Sequence, residues 1–301
     1  SSNIFKICAA SSALALAAAS SAFALASASA FALASAAALA CAFSSGLLVA
    51  VLRTIDEPLL LFAAAAARAA GRTPNLNGIW QAINSANYNL EGHAAEASPV
   101  VAMGALGAVP GGLVVVEGGQ IPYLPAAAAK RKENYANRMK LDPEVKCYLP
   151  GVPRATYMPY PFQIVQTPDV ILITYEYANA VRTIFMKDPG PPPVDTWMGQ
   201  SVGHWEGNTL VVDAKGFNDQ SWFDRAGNFH SDALHVVERY TPRGNDVLMY
   251  EATIEDPMTF SRPWKISMPL YRRLDKNMQL LEFKCQEFVE ELLYGQYRKK
   301  Q

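Results

Sequence analysis

The chain has 301 residues, enough for one globular domain and a membrane anchor, and a formal net charge of −1. Its 26 lysine and arginine residues nearly balance its 27 aspartate and glutamate residues. A strongly basic nucleic-acid-binding domain is therefore excluded, and no nucleic-acid partner is expected. The four cysteines form no CxxC pair, so a zinc site is not expected either.

Residues 7–52 contain no charged side chain. A helix over this stretch would reach roughly 69 Å, against about 30 Å of bilayer hydrocarbon. Two spans, or one span plus an interfacial or buried helix, would use it. A secretory signal peptide is the alternative, but its apolar core is only about 7 to 15 residues long. We therefore expect residues 1–70 to be a retained membrane-anchoring helical region in contact with membrane lipid.

Residues 71–160 are predicted to be a linker with loops and a short helix. A first strand is expected at residues 78–81, and the apolar run 113–116 is a second, weaker candidate. The helix is expected over residues 126–140, directly after a proline. Prolines then punctuate residues 143–161, which are expected to form neither a regular helix nor a central strand.

Residues 161–301 read as an antiparallel β domain with a C-terminal helix over residues 287–300. Segments rich in Ile, Val, Thr, Tyr and Phe alternate here with turn residues, as at 206–208, 242–246 and 275–277. The predicted fold is mainly β: an antiparallel barrel or sandwich made of a meander of hairpins, with N-terminal transmembrane helices and short peripheral helices. The predicted strands are 162–167, 170–177, 181–186, 201–205, 209–214, 235–241, 247–254, 264–271 and 279–285.

The densest polar cluster lies in a long loop between two predicted strands, where rim loops often carry function. Imidazole and carboxylate groups there suit a divalent metal, and a histidine oriented by a carboxylate can act as a general base. The favoured alternative is structural, because Asp and Asn stabilise turns by bonding their own backbone. On the following strand His235 and Glu238 are three residues apart and should face opposite sides. The ligand or metal candidates are Asp219, Asp224, His230 and Asp232.

Nucleophile and phosphate-binding motifs such as GxSxG and the P-loop are missing. No catalytic residue and no cofactor are therefore assigned, and a non-catalytic protein is favoured. Four tryptophans of the β region either line an apolar ligand cavity in a small barrel or simply fill its core. They are Trp197, Trp205, Trp222 and Trp264.

Cys147 and Cys285 are the two cysteines beyond the apolar region. In an oxidising compartment they can pair, and such a bridge would stabilise the fold by about 4 to 5 kcal/mol in the chain-entropy model. Two buried free thiols are the alternative.

Several ordered segments make residues 74–290 similar to a family of uncharacterised exported bacterial proteins. The resemblance implies export, a β-rich domain and matching cysteines consistent with a bridge, but no established activity. Members usually begin with a cleavable signal, whereas this chain is expected to retain its apolar region as a membrane anchor. The matching segments are 74–80 (PNLNGIW), 147–154 (CYLPGVPR), 161–168 (PFQIVQTP), 205–212 (WEGNTLVV), 216–219 (GFND), 230–234 (HSDAL), 238–240 (ERY) and 280–285 (LLEFKC).

From these observations we expect a non-catalytic accessory subunit of a larger membrane complex, of respiratory or photosynthetic type. Its partners would be other membrane-protein subunits, and its β domain would lie in the periplasm, anchored in a bacterial inner membrane. A lipocalin-like binder of an apolar small molecule or pigment is the first alternative. A metal-dependent hydrolase using the polar loop is the second.

Overall fold

A computed structural model describes residues 73–98 and 100–297. The chain divides into two compact units, Ser1–Arg72 and Thr73–Gln301. The predicted anchoring region, residues 1–70, lies outside the described residues. Within the described ranges, no helix is both long and apolar enough to cross a bilayer.

Nine strands close into a single barrel in which each strand pairs with the next and β9 returns to β1. The fold is therefore mainly β, and of the two predicted architectures it is the barrel. Closure leaves no sheet edge with unpaired backbone groups. The strands are β1 Gly78–Ala82, β2 Phe162–Gln166, β3 Val170–Tyr175, β4 Val181–Phe185, β5 Gln200–Glu206, β6 Thr209–Lys215, β7 His235–Pro242, β8 Val247–Glu255 and β9 Trp264–Arg272.

Alternation of buried and half-exposed side chains sets the inner face of the barrel. Along β8 every second residue is buried, from Leu248 to Ile254, and the cross-strand register continues the same face. Tyr250 lies opposite Tyr240 on β7 and opposite Met268 on β9. Because the side-chain period of a strand is two, one choice of register buries the whole set. The interior is consequently filled by large side chains, Trp80 among them.

One pairing departs from the predicted meander of hairpins. β4 and β5 run parallel, with Ile184 opposite Ser201. Parallel neighbours require the chain to cross from one end of the barrel to the other. The proline-rich link 186–199 makes that crossing, and it is held by Gln200, whose side-chain amide donates to the Gly190 carbonyl at 2.6 Å. The predicted meander of antiparallel hairpins is therefore wrong for the step from β4 to β5.

The predicted helix is present but broken. It forms as α1, Pro125–Ala136, and α2, Arg138–Leu141, separated by Asn137. The Asn137 side-chain amide donates to the Glu133 carbonyl at 2.9 Å and so competes with the helical backbone. A further four-residue helix, α3, Arg154–Tyr157, lies fully buried within the proline-punctuated stretch, where no helix was expected.

The third predicted hairpin is wrong. The turn at residues 275–277 exists, but residues 279–285 form no strand, because β9 is already paired on both sides and the barrel offers no edge. The segment instead runs over the surface, where the Leu281 amide donates to the Glu176 carboxylate at 2.8 Å. It ends in the short helix α4, Val289–Tyr294. The weaker strand candidate at residues 113–116 contributes only isolated bridges, such as Val116 with Ile266.

Candidate functional site

The loop between β6 and β7, residues 216–234, carries the four predicted ligand residues, and the fold separates them. Asp219 and Asp232 are exposed, whereas Asp224 and His230 are buried. In the described part of the chain no three His, Cys, Asp or Glu side chains are grouped so that they could hold a metal ion. The four residues therefore do not assemble a metal centre there.

Asp224 ties its own loop to the rest of the domain. Its carboxylate accepts the backbone N–H groups of Leu90 and Ala226, each at 2.9 Å, and the side-chain amide of Asn228 at 2.6 Å. Burial raises the pKa of Asp224 to about 6, against the opposing effect of these donors. Such bonds to its own and neighbouring backbone are typical of a structural aspartate.

His230 forms a buried pair with Ser221. Its Nδ1 lies 2.8 Å from the Ser231 carbonyl, which can only accept, so Nδ1 carries the proton and Nε2 accepts from the Ser221 hydroxyl at 2.8 Å. Both residues are 2 % exposed, and no carboxylate orients the imidazole. Burial lowers the pKa of His230, which favours the neutral ring. The pair is placed like a nucleophile and its base, but both side chains are buried.

A branched ionic network holds the loops on one side of the barrel. Arg154, 1 % exposed, donates from Nε to Asn87 at 2.9 Å, from Nη1 to Asp142 at 3.1 Å and from Nη2 to Glu144 at 2.7 Å. Glu144 also accepts from Nε and Nη2 of Arg225, at 2.7 and 2.5 Å. Despite its burial, the pKa of Glu144 is lowered to about 2, chiefly by Arg225 and Arg154. Its negative charge is thus fully compensated.

A second charged cluster lies inside the barrel. Arg182 on β4 forms an ion pair with Glu238 on β7 and donates from Nε to Ser201 at 2.8 Å. The other Glu238 oxygen accepts from the hydroxyls of Tyr240 and Tyr250, at 3.0 and 2.8 Å. As predicted, His235 faces the opposite side, where its ring nitrogens contact Asp213 and Glu255.

A cavity of about 390 Å³ opens beside the Arg154 network. This volume falls within the usual range for small-molecule sites, about 300 to 1,000 Å³. Two guanidinium groups stack on its tyrosines: Arg138 lies 4.2 Å from the ring centroid of Tyr135, and Arg225 lies 5.2 Å from that of Tyr88. Its aromatic lining consists of Tyr88, Tyr135, Tyr160, Tyr177, Phe283 and Phe288.

One wall of this cavity is tied down by a disulfide. Cys147 and Cys285 are bonded, with Cα atoms 5.7 Å apart and a sequence separation of 138. Cys285 lines the cavity together with Phe283 and Gln286. Phe283 packs edge-on against Tyr160, with centroids 5.3 Å apart, and tilted against Tyr177. The C-terminal segment is thus a wall of the cavity rather than a strand.

The tryptophans fill and cover the core. Trp264 is 3 % exposed and packs edge-on against Phe223 and Phe260. Trp222 is also buried, while Trp197 and Trp205 pack against the core from its margin.

The sequence did not predict the Arg154 network, the Arg182–Glu238 cluster or the cavity. Arg182 and Glu238 did leave a signal, because each is a charged residue at an inward position of an otherwise apolar alternation. Arg154 stood in a proline-rich stretch without periodicity, so nothing local indicated its burial. Its partners come from two other segments, one at Asn87 and one at Asp142 and Glu144, which only folding brings together.

No family model matches the chain, and comparison with curated proteins finds no relative. The similarity of residues 74–290 to exported bacterial proteins therefore stays a prediction.

Proposed function

We propose that this protein is a non-catalytic, membrane-anchored accessory subunit of a larger membrane complex of respiratory or photosynthetic type, with its β-barrel domain outside the cytoplasm. The observation behind the proposal is that the buried titratable groups of the loops are hydrogen-bonded to other groups of the protein. Asp224, His230, Glu144 and Arg154 all make saturating structural bonds. Groups committed in this way hold a rigid scaffold and are not poised for reaction.

The uncharged run of residues 7–52 supports attachment to a bilayer. The disulfide supports an oxidising compartment, because Cys285 is exposed and cytosolic reductants would reach it. For a bacterial inner-membrane protein that compartment is the periplasm.

Uncovered apolar side chains on the C-terminal segment support contact with a partner subunit. Leu281 is 65 % exposed, and on α4 Leu292 and Leu293 are 67 % and 56 % exposed. Single exposed leucines are ordinary, but several along one short segment suit a protein interface.

The two alternatives have less support. A lipocalin-like binder needs space inside its barrel, and here Trp80, Phe162, Tyr240 and Tyr250 occupy the interior. A metal-dependent hydrolase needs converging ligands, and Asp224 and His230 bond to other groups.

The test is native electrophoresis of gently solubilised membranes, with mass spectrometry of the band that contains the chain. We expect a large assembly of fixed stoichiometry. A paired variant, Leu292→Ser with Leu293→Ser, should weaken that assembly, while the control Leu113→Ser, on a leucine that is 89 % exposed and lies outside the C-terminal segment, should not. Migration of the wild-type chain alone would contradict the proposal.

A further inference from the structure

The cavity beside the Arg154 network has donors to offer and few acceptors. Glu144 already accepts from Arg154, Arg225 and Asn87. Asp142 accepts from Arg154 and from the Glu144 amide. Both carboxylates of this wall are therefore already paired with donors of the protein, and they offer little to a cationic ligand.

Glu96, on the same wall, accepts the Tyr135 hydroxyl at 2.5 Å. This bond occupies one oxygen of the Glu96 carboxylate and holds the Tyr135 ring in place. The donor excess of the cavity therefore persists when all three acidic side chains are counted.

The guanidinium groups, by contrast, keep nitrogens outside their pairs. Glu144 takes up Nε and Nη2 of Arg225 and leaves Nη1 outside the pair. Within the described residues, the Arg138 side chain makes one hydrogen bond, from Nη1 to the Tyr135 carbonyl at 3.0 Å. A planar guanidinium with a free edge binds a carboxylate well, because two N–H groups can point at two oxygens.

Both guanidinium groups are also held in position before any ligand arrives. Each stacks on a tyrosine ring, Arg138 on Tyr135 and Arg225 on Tyr88. Stacking restricts rotamers, so a ligand loses less side-chain entropy when it binds. The opposite wall is aromatic and rigid, since Tyr177 is 3 % exposed and packs on Phe283 with centroids 4.8 Å apart.

We propose that this cavity is a binding site for a small aromatic carboxylate, whose acid group pairs with the free guanidinium edges of Arg138 and Arg225 and whose ring packs on the Tyr160, Tyr177 and Phe283 wall. The volume of about 390 Å³ suits a ligand of one or two rings. Aromatic rings prefer offset or edge-on neighbours at about 4.5 to 7 Å between centroids, which this wall provides.

The experiment is isothermal titration of the full-length chain in mild detergent with two acids, benzoate and 4-hydroxybenzoate, and with their carboxamides. The carboxamides keep the ring and the shape but lose the charge. We expect saturable binding of at least one acid at millimolar concentration or below, and at least tenfold weaker binding of its amide.

Arg138→Gln should weaken acid binding at least tenfold, because it removes a charged donor outside the Arg154 network. The matched control is Arg239→Gln, a similarly exposed arginine on the outer face of β7 that pairs with Glu206; it should leave binding unchanged. Saturable binding of neither acid, equal binding of acid and amide, or equal effects of the two variants would each overturn the proposal. The acid–amide pair needs no variant, so poor folding of Arg138→Gln cannot obscure the result.

Discussion

Two buried arginines, Arg182 inside the barrel and Arg154 among the loops, have their positive charges neutralised in different ways. Arg182 has one carboxylate partner, Glu238, whose other oxygen accepts from the hydroxyls of Tyr240 and Tyr250, and Arg182 Nη1 is buried without a hydrogen-bond partner. Arg154 has two carboxylates and an amide, and its network reaches solvent through Arg225.

Arg182 and Glu238 are an ion pair inside an apolar core that other contacts already hold together. The Arg154 network, by contrast, joins loops that have no such core of their own. The strands around Arg182 are already fixed by their ladders and by apolar neighbours such as Ile173 and Ile184. The loops around Arg154 have no ladder, so ionic bonds decide where they lie. We therefore expect the barrel pair to be replaceable by apolar side chains of similar volume, and the loop network not to be.

The largest effect should come from Glu238→Ala, which leaves Arg182 charged and unpaired in an apolar interior. We expect the free energy of unfolding to fall by about 4 kcal/mol. Urea unfolding of the full chain in detergent, followed by tryptophan fluorescence, measures it. Glu206→Ala is the control, since this exposed carboxylate pairs with Arg239 on the outer surface and should matter little.

The double variant Arg182→Met with Glu238→Leu sharpens the comparison. It should recover most of the loss, because the buried charges disappear together. A double variant as unstable as Glu238→Ala would show that the barrel pair is not replaceable.

Arg154→Met should reduce the free energy of unfolding by about 3 kcal/mol, since Asp142, Glu144 and Asn87 each lose a buried charged donor. Here the double variant Arg154→Met with Glu144→Gln should recover little, because Arg225 then loses its carboxylate. If this double variant regained as much free energy of unfolding as the double variant of the barrel pair, in the same urea assay, the proposed difference between the two clusters would be wrong.

Reduction of the Cys147–Cys285 disulfide should cost about 2 kcal/mol. The value lies at the low end of the usual range because the freed C-terminal segment is mostly exposed. Thermal unfolding with and without reductant measures the change. A variant with both cysteines changed to serine should unfold at the reduced temperature and ignore the reductant; sensitivity to reductant in that variant would point to another target.

The smallest effect concerns the pH dependence of stability. The pKa of Asp224 is about 6 in the folded protein, above its unfolded value of about 4. As pH falls, the folded state therefore takes up this proton first, and the contribution of Asp224 to stability rises as pH falls.

Between pH 6 and pH 5 the gain should be about 1 kcal/mol. Asp224→Asn should remove it, as seen by subtracting urea unfolding curves of variant and wild type at the two pH values. A difference between variant and wild type that stays constant over this range would refute the shift.

Most of the barrel was readable from the sequence. The hairpin turn at Gly207, where φ is 58°, and the β-branched and aromatic residues of β7 to β9 between turn residues predicted these strands to within one or two residues of their ends. Residues 279–285 misled because their composition suits a strand, yet a strand also needs an edge to pair with. The parallel pairing of β4 and β5 likewise depended on the path of a link that composition alone does not fix.

The candidate site was less predictable. Asp224 and His230 belong to a polar loop. The sequence did not show whether its side chains bind a ligand or form hydrogen bonds within the protein. Arg154 and Arg225 were passed over because their partners lie up to 81 residues away, as for Arg225 with Glu144. Hydrogen bonds at that separation leave no local pattern.

By itself, the sequence determined most of the strands, where the tight turns fall and which two cysteines were available to pair. These properties follow from side-chain branching and backbone preference, which act over a few residues. Only the tertiary structure decided that residues 279–285 are not a strand, that the sheet closes between β1 and β9, that Arg182 meets Glu238 inside the barrel, and that residues 283–289 wall a cavity. Those outcomes depend on competition among distant segments for the same partners, and that competition is resolved only when the whole chain packs.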